Sequence, residues 1–302
     1  MNLLTELRGT GLVSESDYSL AQFCTYRVGG AAKIFLKVES KEELLAASEL
    51  INKHGSDVLV LGKGSNVLVS DAGFDGVVVQ LGKSFDFVDI EGLEVMVGGI
   101  TFLPIAARKT AAASLAGFEW AVGVPGSMGG AVRMNAGGHG SDIAESLVEV
   151  TVFDFATSSI ETKKAAELEL RYRSSSIQSS QLVLSAKLAL VDGNSETSKA
   201  EISEIVQWRR THQPGGANAG SVFANPEGDH AARLIDSCGL KGFRIGSAAV
   251  SDKHANFIQA TAGESADDVY KLIQYIRGQV LQETGFDLRC ENRLIGFENS
   301  TT

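Results

Sequence analysis

The chain has little of what staples or stiffens a fold: its 302 residues include three cysteines, four prolines and five histidines. Cys24, Cys238 and Cys290 are far apart, odd in number and without a CxxC pair, which excludes a disulfide framework and reads as reduced thiols in a cytoplasmic protein. The histidines (His54, His139, His212, His230, His254) show no i, i+3 or i, i+4 pairing, so no metal site is expected. No apolar run approaches the roughly 18 residues a membrane span needs, and the N-terminus, with acidic Glu6, does not read as a secretory signal. Positive charge is also short: 27 Lys and Arg stand against 37 Asp and Glu, a formal net charge of −10. Nucleic acids and anionic membranes need a basic footprint, so neither is an expected partner, whereas a compact anionic ligand needs only a local basic pocket. What is abundant is glycine, 33 residues without a collagen period, which signals tight turns and close backbone approaches.

The pattern along the chain reads as α+β. Residues 1–22 are a polar lead-in with a loosely packed helix, followed by a strand over 32–38. A helix then starts at Ser40, with Glu43 completing a capping box, and stops at Gly55. Short strands follow over 57–61, 67–69, 76–81, 85–90 and 93–97. A helix with Pro104 in its first turn runs to Gly117, and strands over 148–155 and 181–191 bracket residues 170–176. Residues 192–198 are the best candidate linker. Beyond it come helices over 200–212, from Asp229 to Gly239, and from Ser265 to Gly285. The last carries an apolar stripe of Val269, Leu272, Ile273, Ile276 and Val280, and a strand over 286–297 closes the chain.

Two glycine-rich stretches carry the first chemical signal. Gly62-Lys63-Gly64-Ser65-Asn66 follows a strand and offers backbone N–H groups for an anion nest. It is not a P-loop, and valine at position 67 breaks the G-x-G-x-x-G fingerprint. Gly123-Val124-Pro125-Gly126-Ser127-Met128-Gly129-Gly130-Ala131 is bare enough to lie against a diphosphate or a ring system, and a pair of tight turns is the other reading of each stretch. A third stretch, residues 218–226, puts Ser221 directly after Gly220 and before apolar Val222 and Phe223. On its own it is either a solvated turn or a loop presenting one hydroxyl to a pocket.

Taken together, residues 25–30, 61–71 with Gly73 and Phe74, 124–140, Tyr172-Arg173 with Ser175, 218–226, and the pair Glu291 and Arg293 form an ordered set. It resembles the UDP-N-acetylenolpyruvoylglucosamine reductase family over roughly residues 20–297. The N-terminal two-thirds also resembles the FAD-binding domain of the wider vanillyl-alcohol-oxidase type. The resemblance implies an α+β fold: a lead-in over 1–22, a two-subdomain FAD-binding domain over 23–193 split near 72, and a smaller α/β substrate-binding domain over 199–302 whose last strand returns toward the FAD module.

It also implies a cytoplasmic flavoenzyme of peptidoglycan synthesis in which NADPH reduces bound FAD and the same cleft then takes UDP-N-acetylglucosamine enolpyruvate. A monomer or weak oligomer is expected. Ser221 matches the family's proton donor, Arg173 the cation facing the substrate carboxylate, and Glu291 the catalytic carboxylate. The cofactor residues implied are Gly62, Lys63, Gly64, Ser65, Asn66, Gly123, Val124, Pro125, Gly126, Ser127, Gly129, Gly130, Ala131, Asn135 and Gly137. Tyr172, Arg209, Asn225 and Arg293 match substrate positions. One departure stands out: the family pattern Leu-Glu-Pro-Glu-Val-Arg is here Leu288-Arg289-Cys290-Glu291-Asn292-Arg293. The rival readings are another flavin oxidoreductase of the same FAD-domain type, such as a sugar or hydroxy-acid oxidase, and a flavin- or nucleotide-sugar-binding protein without catalysis.

Overall fold

The architecture comes from a computed structural model that describes residues 2–297. The chain divides into two units, each assembled from separate stretches of sequence. The first comprises residues 2–16, Ile34–Lys63 and Asp75–Arg209; the second comprises Asp17–Lys33, Gly64–Phe74 and the chain from Arg210 onward.

In the first unit, one sheet has the strand order Val13–Ser19, Ala31–Val38, Phe74–Leu81, Val58–Val60, some of its strands running past the unit's limits. Val58–Val60 pairs parallel with Phe74–Leu81, Val58 opposite Val77. Parallel neighbours need a crossover, and residues 61–73, which hold the first glycine stretch and Val67–Val69, make it, while the helix Lys41–His54 links Ala31–Val38 to Val58–Val60. That helix buries Leu44, Ala47 and Ile51 in one core with Leu36, Val77 and Val79. Ser40 caps it by accepting the Glu43 N–H at 3.1 Å, but the Glu43 carboxylate accepts from Glu39 N rather than from Ser40, so only half of the expected box forms.

The second sheet of this unit is antiparallel, ordered Ser159–Lys164, Leu147–Asp154, Gln181–Ala189, Glu94–Gly98, Val88–Glu91. Its core takes in Leu103, Ala106 and Ala107 from the helix Leu103–Ala112, and Ile202 and Ile205 from the helix Ser195–His212.

The second unit packs the helices Ala231–Ser237 and Ala266–Thr284 with a three-stranded antiparallel sheet of Arg244–Ile245, Ala248–Val250 and Ile258–Ala260. The expected apolar stripe of the long helix is the buried one: Val269, Leu272, Ile273, Ile276 and Val280. Ser265 caps it, while the Asp268 carboxylate turns to Ser247 N at 2.8 Å; that bond, ahead of the burial that opposes it, holds its carboxyl below the usual value. Asp71 also reaches this helix start, accepting the Ser265 hydroxyl at 2.6 Å and the Ala266 N–H at 2.8 Å. Gly285 ends the helix at φ +76, where a Cβ is disfavoured.

Three local expectations change. The lead-in contains the helix Leu3–Gly9, whose Leu3 and Leu7 are buried, and the sheet strand Val13–Ser19. Most of the candidate linker 192–198 is the first turn of the helix Ser195–His212, because Ser198 reaches Glu119 Oε1 at 2.5 Å and holds that turn down. The closing strand shrinks to Arg293–Ile295, which pairs parallel with Val67–Val69.

Candidate active site

The first glycine stretch joins the units' sequence segments, with Gly62 and Lys63 in the first and Gly64 onward in the second. The Gly62 carbonyl accepts from Gln80 Nε2 at 2.8 Å, and the Gly64 carbonyl accepts the Thr25 N–H at 3.1 Å. A trans peptide points its N–H opposite to its C=O, so the N–H groups of Lys63 and Ser65 face away from these anchors. Gly64 has φ +62, and a Cβ there would collide with the Phe23 carbonyl oxygen, so both its conformation and its surroundings require glycine.

The second stretch lies against the first within the first unit: a Cβ on Gly62 would collide with Ser127 Oγ. Ser127 caps the helix Met128–Met134 by accepting the Gly130 N–H at 3.4 Å, and Gly126 hands its carbonyl to Leu103 N at 2.9 Å. By the same geometry the Ser127 N–H points away from Leu103. Gly129 N–H is itself spent on Gly99 O at 2.8 Å. In each stretch, carbonyls anchored to the protein leave amides turned the other way, on backbone packed too closely to bear a Cβ at Gly62 or Gly64. Free amides on bare backbone are what a diphosphate-bearing cofactor such as FAD requires, so these residues fit it. Asn135, at φ +37 and buried, spends its amide on Asp142, Arg171 O and Ala144 N–H, which shapes the turn leading to Gly137.

Arg173 also belongs to the first unit. It sits at φ +56, rare for a residue with a side chain, and its guanidinium donates to Gly137 O at 2.9 Å while lying 4.8 Å from the centroid of the Tyr172 ring. Tyr172 itself is 53% exposed. Ser175 donates to Arg133 O at 2.7 Å and ties this turn to the short helix. Arg209, near the C-terminal end of the helix Ser195–His212, is desolvated enough that burial lowers its guanidinium pKa. Its charge, after burial, also lowers His139, whose ring meets Trp208 edge-on at 5.2 Å and would crowd any Cβ on Gly123.

In the second unit the backbone brings Ser221 and Glu291 together. The Glu291 N–H donates to Val222 O at 2.8 Å, the Ala224 N–H donates to Arg289 O at 2.9 Å, and Phe223 bridges Cys290 in antiparallel fashion. Ser221 and Glu291 are both half-buried beside this bridge. Gly220 precedes the serine at φ +75 with open space where its Cβ would be, so the turn's own backbone conformation calls for glycine. Asn218 closes that turn by accepting the Gly220 N–H at 3.0 Å.

Asn66 holds the other side of the segment. Its Nδ2 donates to Glu291 O at 2.9 Å, its Oδ1 accepts from Asn292 Nδ2 at 2.8 Å, and its carbonyl accepts the Arg293 N–H at 2.9 Å. Its side chain is thus engaged with the Glu291 segment. Tyr26, fully buried, donates its hydroxyl to Asn292 Oδ1 at 3.0 Å. Burial lowers the Arg293 guanidinium and pushes the Cys290 thiol up to about 11, so the cysteine standing in the family's proline position stays a neutral thiol. Asn225 gives its Oδ1 to Ala231 N–H at 3.0 Å, at the start of the helix Ala231–Ser237.

Sequence reasoning did not find Asn256. The His254–Phe257 stretch holds the Ser221 strand from its other edge, and the run His254-Ala255-Asn256-Phe257 was the available signal. Lys241 pairs with Asp236 at 2.8 Å, and burial, then Lys241, lowers the His254 pKa. Among the described residues no His, Cys, Asp and Glu group could hold a metal ion, and no helix is long and apolar enough to cross a membrane.

Comparisons with known proteins place the chain in a family. The family model described as FAD binding domain matches residues 32–162, and that of the UDP-N-acetylenolpyruvoylglucosamine reductase C-terminal domain matches 212–295. The UDP-N-acetylenolpyruvoylglucosamine reductase of Bacillus velezensis is 37% identical over 300 residues, covering 98% of each chain. That of Rickettsia akari is 35% identical over 284 residues, covering 93% of this chain and 95% of its own. The crystal structure of the Thermus caldophilus enzyme superposes with a TM-score of 0.82 at 34% identity, covering 94% of this chain and 99% of that one. A variant of berberine bridge enzyme, at 15% identity and a TM-score of 0.50, shares the fold over 64% of this chain. Related at this level along almost its whole length, the chain belongs to the UDP-N-acetylenolpyruvoylglucosamine reductase family and is an FAD-dependent oxidoreductase.

Proposed function

We propose that this chain saturates the enolpyruvyl double bond of UDP-N-acetylglucosamine enolpyruvate to give UDP-N-acetylmuramate, with NADPH as electron source, in cytoplasmic peptidoglycan synthesis. The observation that carries the reading is the β-bridge joining the segment after Ser221 to the Glu291 segment, with Glu291 N–H on Val222 O at 2.8 Å. Residues 23–193 are assigned to the flavin and 199–302 to the substrate, in a monomer or weak oligomer.

Bound FAD supplies a two-electron carrier that takes a hydride from a nicotinamide and delivers it to carbon. Gly62, Lys63, Gly64, Ser65, Asn66, residues 123–127 and 129–131, Asn135 and Gly137 would hold it, largely through backbone. The methylene carbon of the substrate receives the hydride, and the neighbouring carbon, which bears the carboxylate, receives a proton. Charge develops between these events on that carbon and its carboxylate. Arg173 neutralises it with a guanidinium already oriented by Gly137 O and Tyr172, so little reorganisation is required as the charge appears. Ser221 delivers the proton. A serine hydroxyl is too weak an acid for any but a strongly basic carbon within hydrogen-bond reach, so its placement matters more than its pKa. Glu291 orients the carboxyl end of the substrate, and Arg209, Arg293, Asn225 and Tyr172 bind the nucleotide-sugar, the arginines through bidentate contacts to phosphate oxygens.

A two-stage flavin titration tests this. Purified yellow protein bleaches with NADPH under anaerobic conditions and recovers its colour on addition of the enolpyruvyl substrate. Recovery with oxygen alone, indifferent to that substrate, would make it an oxidase, and absence of bleaching would make it a binder.

A further inference from the structure

We infer that Asn256 is a positioning residue that sets the direction of the Ser221 hydroxyl, an assignment that rests on the proton-donor reading of Ser221. Asn256 is 4% exposed and makes three bonds to the two residues that follow the serine. Its backbone carbonyl accepts the Val222 N–H at 2.9 Å. Its side-chain Oδ1 accepts the Phe223 N–H at 2.9 Å, and its Nδ2 donates to the Phe223 carbonyl at 2.8 Å.

The side-chain amide therefore does for Phe223 what a neighbouring strand would do, satisfying both backbone groups of a residue that is 1% exposed. Across the strand, Val222 O and Ala224 N–H are taken by Glu291 N–H and Arg289 O. Residues 222–224 are thus gripped on both edges, and Ser221 is the first residue outside the grip. Its hydroxyl inherits its direction from the peptide planes that Asn256 holds. Asn256 is itself steadied, its N–H donating to His254 Nδ1 at 3.2 Å. Proton delivery to carbon requires hydrogen-bond reach, and a displacement of about 1 Å costs on the order of 10²-fold in rate. Asparagine is the residue that can hold both a donor and an acceptor of Phe223 from one short side chain.

Asn256→Asp keeps the acceptor for the Phe223 N–H but sets its second oxygen against the Phe223 carbonyl. In stopped-flow measurements on the flavin-loaded full-length chain, flavin reduction by NADPH is expected to proceed at the parent rate. Reoxidation by the enolpyruvyl substrate is expected to slow about 10²-fold. The deciding measurement is the same substitution in a Ser221→Ala background, where reoxidation is expected to slow no further, because a residue acting only through Ser221 has nothing left to position. An equal penalty in both backgrounds, or a parallel fall in both half-reactions, overturns the assignment and makes Asn256 a structural residue. Full-rate reoxidation by Ser221→Ala alone overturns the proton-donor reading and this assignment with it. Should Asn256→Asp not fold, as judged by its thermal melt, Asn256→Gln retains both groups one methylene further out and is put through the same cycle.

Discussion

The glycine stretches of residues 62–64 and 123–130 and the strand that follows Ser221 solve opposite problems. The first are built by leaving side chains out: Gly62 and Gly64 stand where a Cβ would strike Ser127 Oγ and the Phe23 carbonyl, so what these stretches present is main chain. The second is built by spending side chains: Asn256 gives its whole amide to the Phe223 backbone, and Asn66 divides its amide between the Glu291 carbonyl and the Asn292 side chain, so that Ser221 and Glu291 stand on fixed segments. A cofactor that stays bound needs shape and partial charge, which backbone supplies. A proton transfer needs one atom in one place, which only a braced side chain supplies.

This contrast can be broken in four ways. Ser221→Ala should slow reoxidation of the flavin by the enolpyruvyl substrate by roughly 10²–10⁴-fold while leaving reduction by NADPH intact; equal slowing of both halves would make the serine structural. Gly64→Ala faces both an αL backbone and a main-chain collision, whereas Gly220→Ala faces the αL backbone alone. Thermal melts should place the second variant about 1–2 kcal/mol below the parent and the first below that, with loss of yellow colour on purification only for Gly64→Ala. If Gly220→Ala proves the more damaging, the two glycines have been assigned the wrong reasons.

His254 bears on the pH dependence of the Ser221 strand. Burial, then the charge of Lys241, holds its folded-state pKa below the ordinary value of 6.5. Above about 6.5 the imidazole is neutral in both the folded and unfolded chain. As the pH falls below that, the unfolded chain binds a proton that the folded chain resists, so stability is lost from about 6.5 down to the folded value. His254→Gln should flatten that part of a denaturation-versus-pH curve, and an unchanged slope would assign it to other groups. The smallest effect is expected for the exposed pair of Arg277 and Asp287, bonded at 2.7 and 2.9 Å. Asp287→Asn should move the denaturant midpoint by less than about 1 kcal/mol, and high salt should remove the difference.

Much of this was legible in the chain itself. The stripe on Ala266–Thr284 follows from a 3.6-residue apolar period and its end from Gly285. The ordered motifs then identify the family. The lead-in was half legible: its helix was expected as loosely packed, whereas Leu3 and Leu7 dock on the core of Lys41–His54, and the strand Val13–Ser19 was not expected. The closing strand was overread because, before Arg293, the segment pairs only through the single bridge of Cys290 to Phe223, and a continuous strand forms only over Arg293–Ile295, opposite Val67–Val69.

What the sequence determined by itself is local: which segments coil, where they stop, where a Cβ is forbidden, and which side chains could donate a proton or meet an anion. Only the tertiary structure decided that Asn66, placed by sequence in a flavin loop, also spends its amide on the Glu291 segment, 225 residues away in the chain. It alone decided that Asn256, one polar residue among many, clamps the strand beside Ser221. The reason is physical. A buried amide is committed by whichever backbone groups arrive beside it, and that depends on how distant segments pack rather than on the residues next to it in the chain.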